Sequence, residues 1–129
     1  MQKVISSLFY LAAIYDGLLG LAFVFFPLRI FVLYGVEPPN HIGYVQFPAL
    51  LLILFSLMFW RVATSPARYR DLIPYGVGLK AAYCGLVFWY DFTQGIPAMW
   101  IPWAWADLSF LVAFVLAWWR LRGFNESVR

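Results

Sequence analysis

The sequence predicts an all-α integral membrane protein, an antiparallel bundle of four membrane-spanning helices. Three observations carry that expectation. First, 64% of the 129 residues are hydrophobic and only 12% are charged, whereas an ordinary soluble domain is about one-quarter charged. Second, the apolar residues gather into four runs of roughly twenty, enough at 1.5 Å per residue to cross the ~30 Å hydrocarbon core of a bilayer. Third, the runs are apolar on every side and lack the period-two alternation of membrane β-strands, which leaves helices. No repeat or long linker interrupts them, so residues 1–129 are expected to form a single domain.

The first span is expected over Val4–Phe26, between Lys3 and Pro27. A signal peptide is the competing reading, but the run is too long for an h-region, Asp16 interrupts it and no A-x-A site follows. Pro27–Tyr34 is apolar, set off by proline, and carries Arg29; it either extends the helix or lies along the interface. Gly35–Asn40 reads as a turn from its Gly, Pro and Asn. The second span, Ile42–Trp60, has Gln46 and Pro48 near its start. Proline costs little in a first turn and would kink a helix that began several residues earlier. A short polar loop, Arg61–Asp71, leads to the third span, Leu72–Tyr90, which holds Lys80 and is closed by Asp91. Asp91–Ala98 then turns the chain into the last span, Met99–Trp119. Trp100, Trp103 and Trp105 stand at its start and Trp118 and Trp119 at its end, as indoles do at the two membrane–water interfaces.

Basic residues set the expected topology. Lys3, Arg61, Arg68, Arg70, Arg120, Arg122 and Arg129 fall on one side of the spans, and Arg29 alone on the other, with Glu37 and Asp91. Both termini are therefore expected to be cytoplasmic. The net charge of +3 is no nucleic-acid signal, because the basic residues sit at the ends of apolar runs. Cys84 is the single cysteine, which excludes an intrachain disulfide and a cysteine-based metal site. His41 has no second histidine to complete a metal site and reads as a solvated loop residue. Asn125-Glu126-Ser127, a weak glycosylation acceptor, is expected on the cytoplasmic side and carries no weight.

Three charges remain inside the spans: Asp16, Lys80 and Asp107. Left facing lipid they would together cost on the order of 8–10 kcal/mol, comparable to the stability of a whole domain. They are therefore expected to converge inside the bundle, with the two carboxylates sharing one proton near neutral pH. Small residues beside Asp16 (Ala12, Ala13, Gly17, Gly20) mark an inward face that allows close helix approach. Comparable faces carry Gly43, Gln46, Ala49 and Leu50 on the second span, and Gly76, Tyr83 and Cys84 around Lys80. Trp100, Trp103, Ala104, Phe110, Leu111 and Phe114 surround Asp107. A pocket between the helices is expected, walled by Gln46, Tyr83, Trp103 and Phe110. The competing reading makes the three charges an ion-paired clamp that fixes helix register and does nothing else. No phosphate loop, catalytic serine, haem or metal-ligand motif is present.

Tyr15-Asp16-Gly17-Leu18-Leu19-Gly20, Gly78-Leu79-Lys80 and Trp105-Ala106-Asp107-Leu108, in their four-span layout, resemble the DoxX-like group of small bacterial membrane proteins. The resemblance covers most of the chain and implies a multi-pass protein of the bacterial inner membrane; some members of the group resemble subunits of quinone-linked redox systems. Three functions follow for comparison. One is a non-enzymatic lipophile-binding or accessory subunit, acting alone, as a homo-oligomer or with a membrane-protein partner; its ligand or cofactor would be a lipid or a quinone. A second is a proton-coupled exporter resembling the small multidrug-resistance transporters, short four-span chains with an essential acid in the first span; Asp16 fits that position, whereas Lys80 and Asp107 do not, since a nearby permanent cation would compete with a cationic drug. The third is a membrane isomerase or quinone-linked redox enzyme using Asp16 or Asp107 as acid–base catalyst.

Overall fold

Proline opens three of the five α-helices, at the one place in a helix where its missing N–H costs nothing. The computed structural model describes residues 2–123; Arg129 and the Asn125-Glu126-Ser127 acceptor lie outside the described residues. Within them the chain forms α1 (Gln2–Phe25), α2 (Pro27–Leu33), α3 (Gly43–Thr64), α4 (Ile73–Thr93) and α5 (Ile101–Arg120), and no strand. Short 3₁₀ turns, Arg70–Leu72 and Ala98–Trp100, lead into α4 and α5. The stretches Gln2–Phe25, Gly43–Thr64, Arg70–Thr93 and Ala98–Arg120 are long and apolar enough to cross a membrane.

The element ends follow local chemistry. Phe26 leaves the helical region before Pro27, so Pro27–Leu33 is a separate helix of about two turns and not a continuation of α1. Gly35, at φ +66, closes it: the Gly35 N–H donates to Val32 O at 3.0 Å and the Val36 N–H to Phe31 O at 2.9 Å, a left-handed cap that suits glycine. Gly95, at φ +77, ends α4 in a similar way, donating to Tyr90 O at 2.7 Å. The second span runs past Trp60 to Thr64, so Arg61 belongs to the last turn of α3 and the polar loop starts at Ser65. There its cation lies at the negative end of the helix dipole. Pro48 falls in the second turn of α3, where it does withdraw a donor, from the Tyr44 carbonyl.

Helices α1 and α3 pack along each other, as do α4 and α5, whereas the two pairs meet mainly through side chains. Small residues explain the close pairing of α1 and α3. A Cβ on Gly20 would stand 2.7 Å from Ala49 O and 2.8 Å from Ile53 Cγ1, so only glycine fits. Leu50, expected on that inward face, is exposed instead, one position round the helix from the buried Ala49. Large aromatics fill the space between the pairs. Phe9 stacks on Phe114 with centroids 4.6 Å apart, and Phe59 lies 5.2 Å from Phe114. One core cluster joins the start of α1 (Ile5, Phe9), the end of α3 (Val62, Ala63), Ile73 and the end of α5 (Ala117, Leu121). A second, smaller one joins Phe23, Phe31, Ala49 and Met99 at the opposite end. Outward faces are apolar too: Leu18, Leu57, Leu86 and Leu116 are all more than half exposed. Helices apolar on both faces belong to a protein interior or to lipid.

The contact at Gly20 yields a paired prediction. Gly20→Ala should lower the stability of the detergent-solubilised chain by about 1–3 kcal/mol through overpacking. Gly78→Ala, where an added Cβ meets nothing within 4 Å, should be neutral or stabilising by up to ~1 kcal/mol. Equal melting shifts for the two variants would contradict the close approach of α1 and α3.

Candidate functional site

Charges stand out in apolar helices because hydrocarbon offers them no partner, and here they find one another. Asp16 lies near the middle of α1, Lys80 on α4 and Asp107 on α5, between the two core clusters. The Lys80 ammonium donates to both oxygens of Asp16, at 2.8 Å each, and to Oδ1 of Asp107 at 3.0 Å. Its side chain is fully buried and that of Asp16 is 1% exposed, while that of Asp107 is 9% exposed. Three N–H groups meet three carboxylate oxygens, so the ammonium is fully satisfied. Around it stand the rings of Phe110, Tyr15 and Phe59, with centroids 5.1, 5.5 and 5.7 Å from Nζ. Their negative faces add cation–π attraction in a site without bulk water.

The two carboxylates are not equivalent. Asp16 is gripped through both oxygens and sealed. Asp107 is held through one; among the described residues its Oδ2 accepts no hydrogen bond, and its side chain is the most exposed of the three. With all three groups ionised the cluster carries a net charge of −1, which a single proton would neutralise. Two unsatisfied donors stand nearby: the Tyr15 hydroxyl and the Trp103 indole N–H are buried without acceptors among the described residues. Tyr15 connects the cluster to Trp103, its ring centroid lying 5.5 Å from that of Phe110 and 6.4 Å from that of Trp103.

The remaining candidate residues have other tasks. Phe110 touches the cluster, but the Gln46 side-chain amide donates to Val24 O at 3.1 Å and ties α3 to the end of α1. The Tyr83 hydroxyl donates to Trp100 O at 3.0 Å and ties α4 to the turn before α5. Cys84 is buried. His41 is exposed, and its Nδ1 accepts the Gly43 N–H at 3.0 Å, capping the start of α3. Two cavities are described, and neither is lined by the three charged residues. A groove of about 500 Å³ runs between Tyr34–Glu37 and Pro97–Met99, and another of about 320 Å³ lies along α2 at Leu28–Leu33. Among the described residues no group of three or more His, Cys, Asp or Glu side chains is placed to hold a metal ion. Tyr15 enters from sequence only within the motif beside Asp16, and Phe59 not at all. Tyr15 adjoins Asp16, a usable signal, whereas Phe59 is one phenylalanine in a run of apolar residues.

No family model, curated protein or solved structure matches the chain. Its chemistry is therefore read from the cluster itself: a buried cation between two buried acids, one held through both oxygens and one through a single oxygen, which suits proton exchange and hydrogen bonding to a ligand acceptor.

Removing the cation tests whether the three charges act as a unit. Lys80→Met leaves two adjacent carboxylates without a counter-charge and should cost about 3–5 kcal/mol of stability. Adding Asp16→Asn and Asp107→Asn to it should restore most of that loss, as read by thermal unfolding in detergent. Additive losses in the triple variant would mean that the groups are uncoupled.

Proposed function

We propose that the chain is an antiparallel four-span protein of the bacterial inner membrane that binds a lipophilic ligand at a proton-handling Asp16–Lys80–Asp107 site, alone or as an accessory subunit. The observation that carries this reading is the asymmetry of the two carboxylates on one buried ammonium. A net negative cluster inside hydrocarbon is costly, and intramembrane ionisable groups of this kind serve by default as binding or proton-relay sites. The proton resides on Asp107, whose Oδ2 is unengaged and then becomes a hydrogen-bond donor. Together with the Tyr15 hydroxyl and the Trp103 N–H, it offers donors to a carbonyl or ether oxygen of a lipid or quinone. Access runs past Phe110 and Trp103, half-buried side chains of α5 that must move to admit the ligand.

The membrane reading is supported by the four apolar helices and their apolar outer faces. The orientation follows from the basic residues: Lys3, Arg61, Arg68, Arg70, Arg120 and Arg122 share the end where Ile5, Val62, Ile73 and Leu121 pack together, and that end is assigned to the cytoplasm. The short motifs around Asp16, Lys80 and Asp107 keep the DoxX-like resemblance as part of the proposal. Export of a cationic compound fits less well, because Lys80 already fills the space between the acids and the three aromatic rings.

Chain purified from bacterial membranes in a mild detergent should carry a lipophile with an acceptor oxygen, identified by mass spectrometry of the extract. Asp107→Leu and Trp103→Phe should each lower its occupancy by roughly tenfold or more, the value of a hydrogen bond to a charged or buried group. Undiminished lipophile in both variants would contradict the site.

A further inference from the structure

We propose that the basic end of the molecule, around Arg61, Arg68, Tyr69 and Arg70, holds the phosphate of an anionic phospholipid. The inference rests on the membrane placement proposed above, but not on the ion cluster, which lies beyond the Phe9–Phe59–Phe114 packing.

The connection from α3 to α4 carries an unbalanced charge. Arg61, in the last turn of α3, places its guanidinium 4.9 Å from the centre of the Tyr69 ring, and Arg68 places its own 5.4 Å from the same ring. Both arginines are exposed. Arg70 is 8% exposed: its Nε donates to Trp118 O at 2.8 Å, and its guanidinium lies 4.1 Å from the Trp118 ring centre. Its Nη2 is buried without an acceptor among the described residues. Among the described residues, no carboxylate lies within ion-pair distance of any of the three, and the one acid of the connection, Asp71, is exposed and unpaired. Three cations gathered on two rings, with no ion-paired carboxylate among the described residues, leave a local positive field that a phosphate diester matches in charge and geometry.

The surroundings identify the phosphate as a lipid headgroup. The cluster sits where α3 ends and α4 begins, and therefore at headgroup height if the helices span the bilayer. Trp60, Tyr75 and Trp119 are each at least half exposed beside it. These are amphipathic and apolar rings suited to the acyl-chain side of the interface, directly beneath a polar, basic rim. An acidic soluble partner would match the arginines and not these rings.

The test uses the full chain in an uncharged detergent, presented with equal amounts of phosphatidylglycerol and phosphatidylcholine, with retained lipid counted by native mass spectrometry. Phosphatidylglycerol should be retained preferentially, and Arg61→Gln with Arg68→Gln should weaken that retention roughly fivefold per arginine removed. Arg29→Gln, at the opposite end, should leave it unchanged. The wild-type preference should also collapse at about 0.5 M salt, where the screening length is roughly 4 Å. This arm needs no variant to fold. Equal retention of the two lipids, a salt-insensitive preference, or undiminished retention by the double variant would overturn the proposal. Displacement of the lipid by millimolar inorganic phosphate would assign the site to a free anion and overturn it as well.

Discussion

The Lys80 ammonium, shut away from water between two carboxylates, is the constraint on which the rest of the structure depends. An ion of this size pays several kcal/mol of desolvation in a low-dielectric interior, and only well-aligned partners offset it. Those partners come from different helices, so Asp16 of α1, Lys80 of α4 and Asp107 of α5 must face one point. This matters because α1–α3 and α4–α5 are close pairs on their own, and the contact between pairs is made by side chains. The ion cluster, the Phe9–Phe59–Phe114 packing and the two core clusters together fix one pair against the other. Apolar packing is non-directional and would tolerate rotation; the hydrogen-bonded cation would not.

The same arrangement gives the cluster its chemical character. A one-to-one ion pair would be neutral and chemically quiet. Two acids on one base leave a charge unmatched, and Asp16, gripped by both oxygens, is in no position to take it up. In the proposal Asp107 takes it up, through an oxygen that accepts no hydrogen bond among the described residues. The ring cage of Tyr15, Phe59 and Phe110 is a site that would suit a small cation, but the lysine of the chain itself occupies it. The vacant capacity of the cluster is thus for a proton and for an acceptor group, which is the basis of the function proposed for it.

Much of this was legible in the sequence for a simple reason: a charge in a run of apolar residues is conspicuous. Asp16, Lys80 and Asp107 are such charges, and the small residues Ala12, Ala13 and Gly20 mark the buried side of α1. Helix starts were legible to within a residue or two from where the apolar runs begin: the spans expected from Leu72 and Met99 open as helices at Ile73 and Ile101. Other features were not. Gln46 and Tyr83 read as pocket walls because each shares a helix face with polar or small residues; each donates to a backbone carbonyl, and such acceptors cannot be located without the fold. Leu50 shared a helical face with Ala49 by rough spacing and turned outwards by one position. Among thirteen phenylalanines, nothing local distinguished Phe59 as part of the cage around Lys80. Arg61 read as a loop residue because it is charged, although a cation is stable in the last turn of a helix.

The central claim, that the two buried aspartates hold one proton between them, is tested most directly by infrared spectroscopy of the membrane-reconstituted chain at neutral pH. The other acids among the described residues, Glu37, Asp71 and Asp91, are exposed and lie outside the cluster. The account predicts the carbonyl stretch of a single protonated carboxylic acid in the wild type. It predicts loss of that band in both Asp16→Asn and Asp107→Asn, where the remaining acid forms a neutral pair with Lys80. A wild-type spectrum without a protonated carboxyl, or a band that survives both substitutions, would contradict it.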